Sequence, residues 1–449
     1  MRIDPPAAVL RAMEILRDGG YAAYLVGGCV RDACRGAVPH DWDIAASARP
    51  EETAAAFAGY RVLETGIRHG TVTVLLDGEA LEITTFRKDG AYSDHRHPES
   101  VAFVRALRED LRRRDFTVNA MAWSPWEGLV DPFGGRQDLA ARTLRAVGDP
   151  ARRFDEDALR ILRGLRFSSV LGFSIAPATR AAMTEKSALL ACVSGERVLQ
   201  ELKKLLLGEH VLSVLLTCPD VLQAVLPEMG AAVGFDQHSR YHIYDVWEHT
   251  ARAVAAAPMD LTVRLALLFH DLGKPACAIV DAAGEGHFYG HGVESAHMAD
   301  AALRRLKSDR RTREAVVWLV NMHDQTLPGG RAGARRLLSR YGIARTRQLL
   351  QMRIADHAAH NPAYPERGDE GRRLLALVED EWAARPCLTL GELAVRGKDL
   401  TALGYSGPAV GEALRFLLEA VLSGVCPNER QALLAHLRAG RGGTGSIQT

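Results

Sequence analysis

The chain has 449 residues, room for roughly three domains at ~100–200 residues each, and its 47% apolar and 25% charged content is that of an ordinary soluble globular protein. Its 56 Lys and Arg nearly cancel its 55 Asp and Glu, so a nucleic-acid surface can arise only from local clustering of charge. Seven scattered cysteines without a C-x-x-C pair predict reduced core thiols in a cytoplasmic protein and exclude a disulfide framework or zinc knuckle.

The N-terminal "MRIDPPAAVLRAMEILRDGG" reads as a capped amphipathic helix with internal charges, not as a signal peptide. No stretch reaches the ~18 consecutive apolar residues of a membrane span. Next, Tyr24-Leu25-Val26 predicts a short buried strand that meets Gly27-Gly28 and a helix beginning near Cys29. A glycine turn feeding a helix N-terminus lets a phosphate approach the backbone. Asp41 and Asp43 follow in "HDWDIA". Two positions apart on an extended strand they share a face, and such like charges are costly without a cation between them. A helix from Pro50 and strands at 61–64, 71–76 and 80–86 come next, with Glu82 between Leu81 and Ile83. A small sheet with two or three acids on one face suits two-metal phosphoryl or nucleotidyl transfer.

Residues 86–103 are rich in Gly, Asp, Ser, Pro and charge and read as a mobile loop. Arg112, Arg113, Arg114 and Asp115 then precede a strand-like "FTVNAMAW". Arginines beside an acidic metal site fit triphosphate binding, and Asn119 can bond a ribose hydroxyl. "DPFGGRQDL" predicts a turn and hinge.

From about Arg152 the chain reads as helical. Asp157 and Arg160 are three apart and so neighbours on one helical face. Cytosine and adenine both present an amine donor beside a ring-nitrogen acceptor, whereas uracil and guanine present the reverse. An Asp accepting from the amine and an Arg donating to the ring nitrogen therefore select C and A. Ser194 is expected to cap an amphipathic neck helix that Gly208 stops.

A second set of chemistry-bearing residues follows: His249, then His270-Asp271 at the rim of an apolar helix, then His291, His323 and Asp356. Neutral imidazoles and carboxylates in this number suit one or two divalent metals. Basic runs at 304–313 and 331–353 suggest phosphate contacts, as does a glycine-bounded helix start at Gly407-Pro408. The last ten residues read as disordered, and there is no internal repeat.

"LVGGCVRD…HDWDIA", "RRRDFTVNAMA", "DPFGGRQDL", "EDALRILRGLRF" and "ERVLQELKKLL" resemble, in order and spacing, the motifs of bacterial class II tRNA nucleotidyltransferases, the CCA-adding enzymes, whose head is shared with bacterial poly(A) polymerases. The resemblance is dense over residues 5–210 and looser beyond, through a segment similar to HD-type phosphohydrolase domains. It implies an α+β fold with a small mixed β-sheet nucleotidyltransferase head (1–150), a helical neck (151–210), an HD-type body (211–380) and a tRNA-binding tail (381–449).

By the same resemblance Asp41 and Asp43 would bind two magnesium ions, supported by Glu82. Gly27, Gly28, Arg31 and Asp32 would hold the triphosphate, and Arg114, Asp115 and Asn119 the ribose and phosphates. Asp157 and Arg160, with Arg163 and Arg166 on the same helix, would face the base. The HD set would hold a divalent transition metal. Expected partners are tRNA, CTP and ATP, with no membrane and no stable protein partner. The rivals are an A-adding or CC-adding enzyme, a poly(A) polymerase, and, in another class, an HD phosphohydrolase with a non-catalytic RNA-binding head.

Overall fold

The structure is a computed structural model that describes residues 3–39, 41–63, 66–67, 70–90 and 100–442. The chain separates into two compact units, Met1–Gly230 with Arg305–Ser308, and Ala231–Arg304 with Asp309–Thr449. No helix among the described residues is long and apolar enough to cross a membrane.

The first unit opens with α1 (Ala7–Asp18), which buries Ala8, Val9, Ala12, Met13 and Leu16 at helical spacing. Pro6 holds its N-cap with no side-chain hydrogen bond, so the expected polar cap is absent. Strand β1 (Ala23–Val26) is wholly buried. Gly27, at φ +79°, turns the chain into α2 (Gly28–Cys34), a bend that a side chain would strain. β2 (Ile44–Ala46), α3 (Pro50–Ala56), β3 (Arg61–Leu63), β4 (Thr71–Leu76) and β5 (Glu79–Thr85) follow. On β4 and β5 buried Val72, Val74, Leu76, Leu81 and Ile83 alternate with more exposed residues, the period-2 pattern of a sheet covered on one face.

Within the stretch expected to be a mobile loop, its two ends pair as an antiparallel ladder of β6 (Arg87–Asp89) and β7 (Val101–Phe103). Residues 91–99, on which the rest of that expectation falls, lie outside the described residues. After α4 (Leu107–Arg112), the "FTVNAMAW" stretch is not one strand. Thr117–Asn119 form a 3₁₀ turn, and only Ala122–Ser124 enters the sheet as β8, next to β9 (Gly128–Val130). The physical reason is local: Thr117 donates to Asp138 and Asn119 to Asp115, and these side-chain bonds compete with a ladder. The sheet runs β3-β4-β5-β2-β1-β8-β9, antiparallel except where β2 pairs parallel with β5.

α5 (Gly135–Ala140), β10 (Thr143–Leu144), α6 (Pro150–Glu156), α7 (Leu159–Leu171), β11 (Ser174–Ile175), α8 (Pro177–Glu185), α9 (Gly195–Leu206), α10 (Val211–Thr217) and α11 (Pro219–Gln223) complete the first unit. Ser194 sits at the N-cap of α9 but makes no side-chain cap bond. α9 packs on α7 through Val198, Leu199, Leu202, Leu205 and Leu206.

The second unit consists of α12 (Val246–Ala256), α13 (Leu261–Phe269), α14 (Lys274–Cys277), a hairpin of β12 (Ile279–Val280) and β13 (Gly286–His287), α15 (His291–Arg305), α16 (Arg310–Met322), α17 (Gly330–Ala358), α18 (Glu366–Ala383), α19 (Gly397–Thr401), α20 (Pro408–Leu422) and α21 (Arg430–Gly442). α17 is broken at Gly342, whose φ of +72° is outside the helical range. It packs along α18 around Leu337, Leu338, Leu350, Leu374 and Val378. All seven cysteines are free, but only Cys29, Cys218 and Cys426 are buried and Cys192 is exposed, so the expectation of core thiols holds for three of them. The disorder expected at the C-terminus falls largely on residues 443–449, outside the described residues.

Candidate functional site

Asp41 and Asp43 lie just before β2, not within it. The backbone there is already in register with the sheet, because Val26 N–H donates to the Asp43 carbonyl at 3.1 Å. Ile44 pairs with Ile83 in the parallel ladder, so continuing that register by one residue sets Asp43 beside Glu82. Buried Ile44 and Ile83 point into the core, which turns Asp41, Asp43 and Glu82 to the opposite face. Although the Asp43 residue is exposed, protein crowded around its carboxyl raises its pKa above the usual carboxylate range. Glu82 and Asp41 reinforce that rise and Arg114 opposes it. Three carboxylates meeting on one face is the electrostatic signature of a place for cations.

Beside Asp43 lies a cavity of about 470 Å³. Gly27 and Gly28 form part of its wall, and a Cβ on Gly27 would come within 2.9 Å of an Arg114 Nη1. Glycine at this position therefore gives Arg114 its place as well as the turn. Behind the wall runs a chain of charge-assisted bonds. Arg31 is bidentate to Asp32 at 2.9 and 2.8 Å and donates to Asn119 Oδ1 at 2.7 Å. Asn119 donates to Asp115 at 3.2 Å, and Arg163 grips Asp115 at 2.8 Å. Burial alone would raise the Asp115 pKa. The Arg163 ion pair, with the bonds from Arg163 and Asn119, outweighs burial and brings it down to about 2.

The far side of the cavity carries Asp157 and Arg160, and here the sequence expectation needs correction. They are not neighbours on one helix: α6 ends at Glu156, Asp157 is extended at φ −142°, and α7 begins at Leu159. The Asp157 carboxylate accepts from Leu159 N–H at 3.1 Å and from Arg197 at 3.4 Å. Arg160 instead pairs with Glu156 at 2.8 Å, and also donates to the carbonyls of Arg153 and Arg113 at 3.1 and 2.9 Å. Three of its five N–H groups are thereby engaged, leaving Nε–H and one Nη2 hydrogen for a ligand.

Of the expected nucleotide-site residues, Gly27, Gly28, Arg31, Arg114, Asp115, Asn119, Asp157, Arg160 and Arg163 line this cavity together with Asp43. Asp32 stands behind it as the partner of Arg31. Arg166 lies over the Phe167 ring at 4.1 Å and pairs with Glu201. The arginine triplet divides: Arg113 and Arg114 both line the cavity and both pair with Asp110, at 2.7 and 3.4 Å, whereas Arg112 lines a separate cavity. Sequence reasoning missed Glu156, Arg197 and Phe167. Glu156 was findable, standing four residues before Arg160 at helical pairing distance.

The expected second set converges in the second unit. His249 Nε2, His270 Nε2, Asp271 Oδ2 and Asp356 Oδ1 lie 2.9–3.4 Å from one another across the recorded pairs. The other Asp271 oxygen faces His291 and His323 at 3.4 and 3.7 Å, and those two Nε2 atoms are 3.2 Å apart. In all four histidines Nδ1 contacts a backbone carbonyl: Ala359, Leu267, Phe288 and Val320. Nδ1 must carry the hydrogen there, so each Nε2 is a lone-pair acceptor when the ring is neutral. Acceptors crowded against one another and against two carboxylates repel unless protons or cations intervene. Ligands ~2.1 Å from a common ion stand roughly 3.0–3.4 Å apart, which is the spacing observed. The set thus fits two cation positions sharing Asp271.

Three neighbours were not anticipated. His360 approaches Asp356 at 3.5 Å. His242 lies against the rings of His249 and His360, and burial, then Lys274, lowers its pKa to about 2. Lys274 contacts Asp271 at 2.6 Å and donates to Gln237 at 2.8 Å. Asp356/His360 and Asp271/Lys274 are helical-spacing pairs, a signal that was available. The basic runs are mostly neutralised: Arg304 and Arg313 pair with Asp300, Arg310 with Glu314, Arg331 and Arg335 with Glu381, Arg336 with Glu419 and Arg347 with Glu379.

Residues 23–145 match the family model "Poly A polymerase head domain", residues 172–232 "Probable RNA and SrmB- binding site of polymerase A", and residues 293–437 a tRNA nucleotidyltransferase domain 2. The CCA-adding enzyme of Geobacillus stearothermophilus is 36% identical over 437 residues, 96% of each chain. That of Levilactobacillus brevis is 37% identical over 433 residues, 94% of this chain and 95% of the other. A crystal structure of the Bacillus stearothermophilus CCA-adding enzyme in complex with CTP superposes with a TM-score of 0.72 at 32% identity, covering 97% of both chains. Identity at this level along almost the whole length, over a head of the same mixed-sheet fold, establishes that the chain belongs to the CCA-adding enzymes, the tRNA nucleotidyltransferases.

Proposed function

We propose that the protein adds C, C and A to the 3′ end of tRNA from CTP and ATP without a nucleic-acid template, by two-metal nucleotidyl transfer in its first unit. The observation that carries this reading is the meeting of the Asp41/Asp43/Glu82 face with the cavity that holds Asp157 and Arg160. The acidic face fits magnesium, and the bound ions supply activation of the attacking 3′-hydroxyl and charge stabilisation at the leaving pyrophosphate. Arg114 and the Gly27-Gly28 turn receive the triphosphate. Arg31, fixed by Asp32, reaches the triphosphate as well, and Asn119, fixed by Asp115, faces the ribose. Arg160 offers its two remaining N–H groups to the ring-nitrogen edge of the base and Asp157 accepts from the exocyclic amine, which admits cytosine and adenine and rejects uracil and guanine.

The test is incorporation on a tRNA ending at the discriminator base, supplied with one nucleoside triphosphate at a time. CTP alone is expected to give two additions, ATP after CTP a third, and UTP or GTP none. Addition of A only, of CC only, or of a long A tail would overturn the full reading in favour of a narrower enzyme. Asp43→Ala is expected to abolish every addition.

For the second unit we infer a metal-dependent phosphohydrolase of the HD type. It is supported by the six predicted ligands gathered around Asp271, with His291 and His323 opening onto a cavity of about 460 Å³. Bound divalent transition metals would supply a nucleophilic hydroxide and Lewis acidity there. Lys274 holds one Asp271 oxygen. Loss of p-nitrophenyl phosphate hydrolysis in His270→Ala or Asp271→Ala, with CCA addition retained, is the expected outcome. Undiminished hydrolysis in both variants would remove the site from consideration.

A further inference from the structure

Arg112 belongs to a cavity of the first unit that the nucleotide site does not use. It measures about 520 Å³ and is walled by Arg108 and Arg112 of α4, Phe133, Asp149, and Arg152 and Arg153 of α6. It lies back to back with the nucleotide cavity. Arg153 donates to the Arg112 carbonyl at 3.1 Å, and Arg160 donates to the next one, that of Arg113, at 2.9 Å. The same two guanidiniums grip Glu156, one at each carboxylate oxygen. The partition between the cavities is therefore one carboxylate and two residues of backbone thick.

Elsewhere in the chain exposed arginines are neutralised, as Arg310, Arg331 and Arg347 are by carboxylates. Around this cavity positive charge is left over. Among the described residues no carboxylate pairs with Arg108 or Arg112, and both side chains are exposed. Arg152 reaches Glu156 only at 3.4 Å, with 70% of its side chain exposed. Of the acids on the wall, Asp149 is engaged in capping α6, accepting from Ala151 N–H at 3.1 Å. Glu109 pairs with no cation among the described residues. Guanidiniums gathered on a concave surface concentrate positive potential and draw an anion into it.

Their planar forks match phosphate oxygens. A free nucleotide also needs groups that hold its base. Here the ring on the wall, Phe133, already has Arg108 over it at 6.0 Å, and most of the remainder is guanidinium and backbone. Phosphate recognition without base reading is how proteins hold a nucleic-acid backbone in register. A tRNA whose 3′ end reaches the acidic face carries one phosphate with each nucleotide that precedes that end.

We propose that this cavity holds a backbone phosphate of the tRNA's single-stranded 3′ end, upstream of the reacting hydroxyl, through Arg108, Arg112 and Arg152. This rests on the nucleotidyl-transfer reading of the neighbouring cavity. The three arginines are positioning residues: they fix the strand while the chemistry proceeds on the other side of Glu156.

The test measures binding of the full-length protein to a tRNA minihelix ending in CC, together with steady-state addition of A. Arg108→Gln and Arg112→Gln change exposed side chains outside the nucleotide cavity. Each is expected to raise Kd for the minihelix about fivefold, the upper end for an exposed ion pair. Each should also lower the slope of log affinity against log salt by about 0.7, while KM for ATP changes less than about twofold. Glu109→Gln, which removes an acid from the wall, is expected to tighten binding about twofold. A neutral methylphosphonate linkage is then moved one position at a time along the 3′ end. At one position it is expected to weaken wild-type binding about fivefold and to have no further effect in Arg112→Gln. Equal losses at every linkage in wild type and variant would overturn the proposal. So would a rise in KM for ATP as large as the rise in Kd, which would make the cavity a nucleotide site. If the minihelix binds as expected but is never extended, the nucleotidyl-transfer reading falls and the phosphate contact stands.

Discussion

Arg160 shows how much of a specificity residue lies outside the residue itself. Its guanidinium is 9% exposed as a residue and is pinned by Glu156 and by two main-chain carbonyls. Glu156 is in turn gripped by Arg153. Removing the charge in Glu156→Gln is therefore expected to let Arg160 tilt. The kcat/KM preference for CTP over UTP should fall about tenfold, on the order of 1.4 kcal/mol, with pyrophosphate affinity unchanged. An unchanged preference would show that Arg160 orients itself without Glu156. A second prediction belongs to Asp115. Its folded pKa, about 2, lies below the usual 3.8, so its ionised form stabilises the fold fully above pH ~4, and that contribution is lost as pH falls through about 2. The contribution is on the order of 2 kcal/mol. Thermal melts of wild type and Asp115→Asn between those pH values should show the wild type losing stability more steeply. Parallel slopes would place the acid sensitivity elsewhere.

At the scale of elements, the head was largely legible because its signals are local. The apolar β1 run, the Gly27 turn and alternation on β4 and β5 need only neighbours in sequence, whereas Asp41 and Asp43, just before β2, meet Glu82 through the pairing of β2 with β5. Where partners are distant, sequence was a poorer guide. The Asp157 break was hidden because buried Phe154, Ala158, Ile161, Leu162 and Leu165 keep a helical spacing across it. The second basic run looked like a nucleic-acid contact because Glu381, Glu379 and Glu419, which neutralise it, come tens of residues later, whereas Asp300 and Glu314 beside the first run were within helical reach. His242 went unnoticed since a lone histidine carries no directional signal, whereas the i, i+4 spacing of His360 from Asp356 was readable. α7 also offers a test of packing. A Cβ on Gly164 would lie 2.2 Å from Met183 Cε and 3.0 Å from Phe116 Cζ. Met183 can swing aside, but Phe116 is fully buried. Gly164→Ala should cost about 1–3 kcal/mol and, by shifting α7, weaken the Arg163–Asp115 pair. A denaturant midpoint equal to the wild type would refute the close approach.

For the molecule as a whole, the His/Asp centre joins parts of the second unit that are remote in sequence: α12, the end of α13, the start of α15, the end of α16 and α17. Its lone pairs repel across these joins, so cations should stabilise the unit as well as serve chemistry. Chelation at neutral pH is expected to lower its thermal midpoint by roughly 5–10 °C, the effect of a ligand present at ~100 times its Kd. Manganese should restore the midpoint, and His249→Asn should lose the dependence. A midpoint indifferent to chelator and metal in the wild type would mean that protons alone relieve the repulsion.

The two carbonyls that hold Arg160 carry a lesson for anyone redesigning the enzyme's alphabet. A side chain chosen to favour uracil or guanine would abandon the main-chain oxygen of Arg113, take one of two donors from that of Arg153 and leave Glu156 to Arg152 and Arg153, an unpaired buried oxygen costing about 1–3 kcal/mol. Alphabet and scaffold are thus soldered together at one residue. A variant with a new base preference has to bring its own donors for those oxygens, and single substitutions at Arg160 should yield slow, unstable enzymes before they yield differently selective ones.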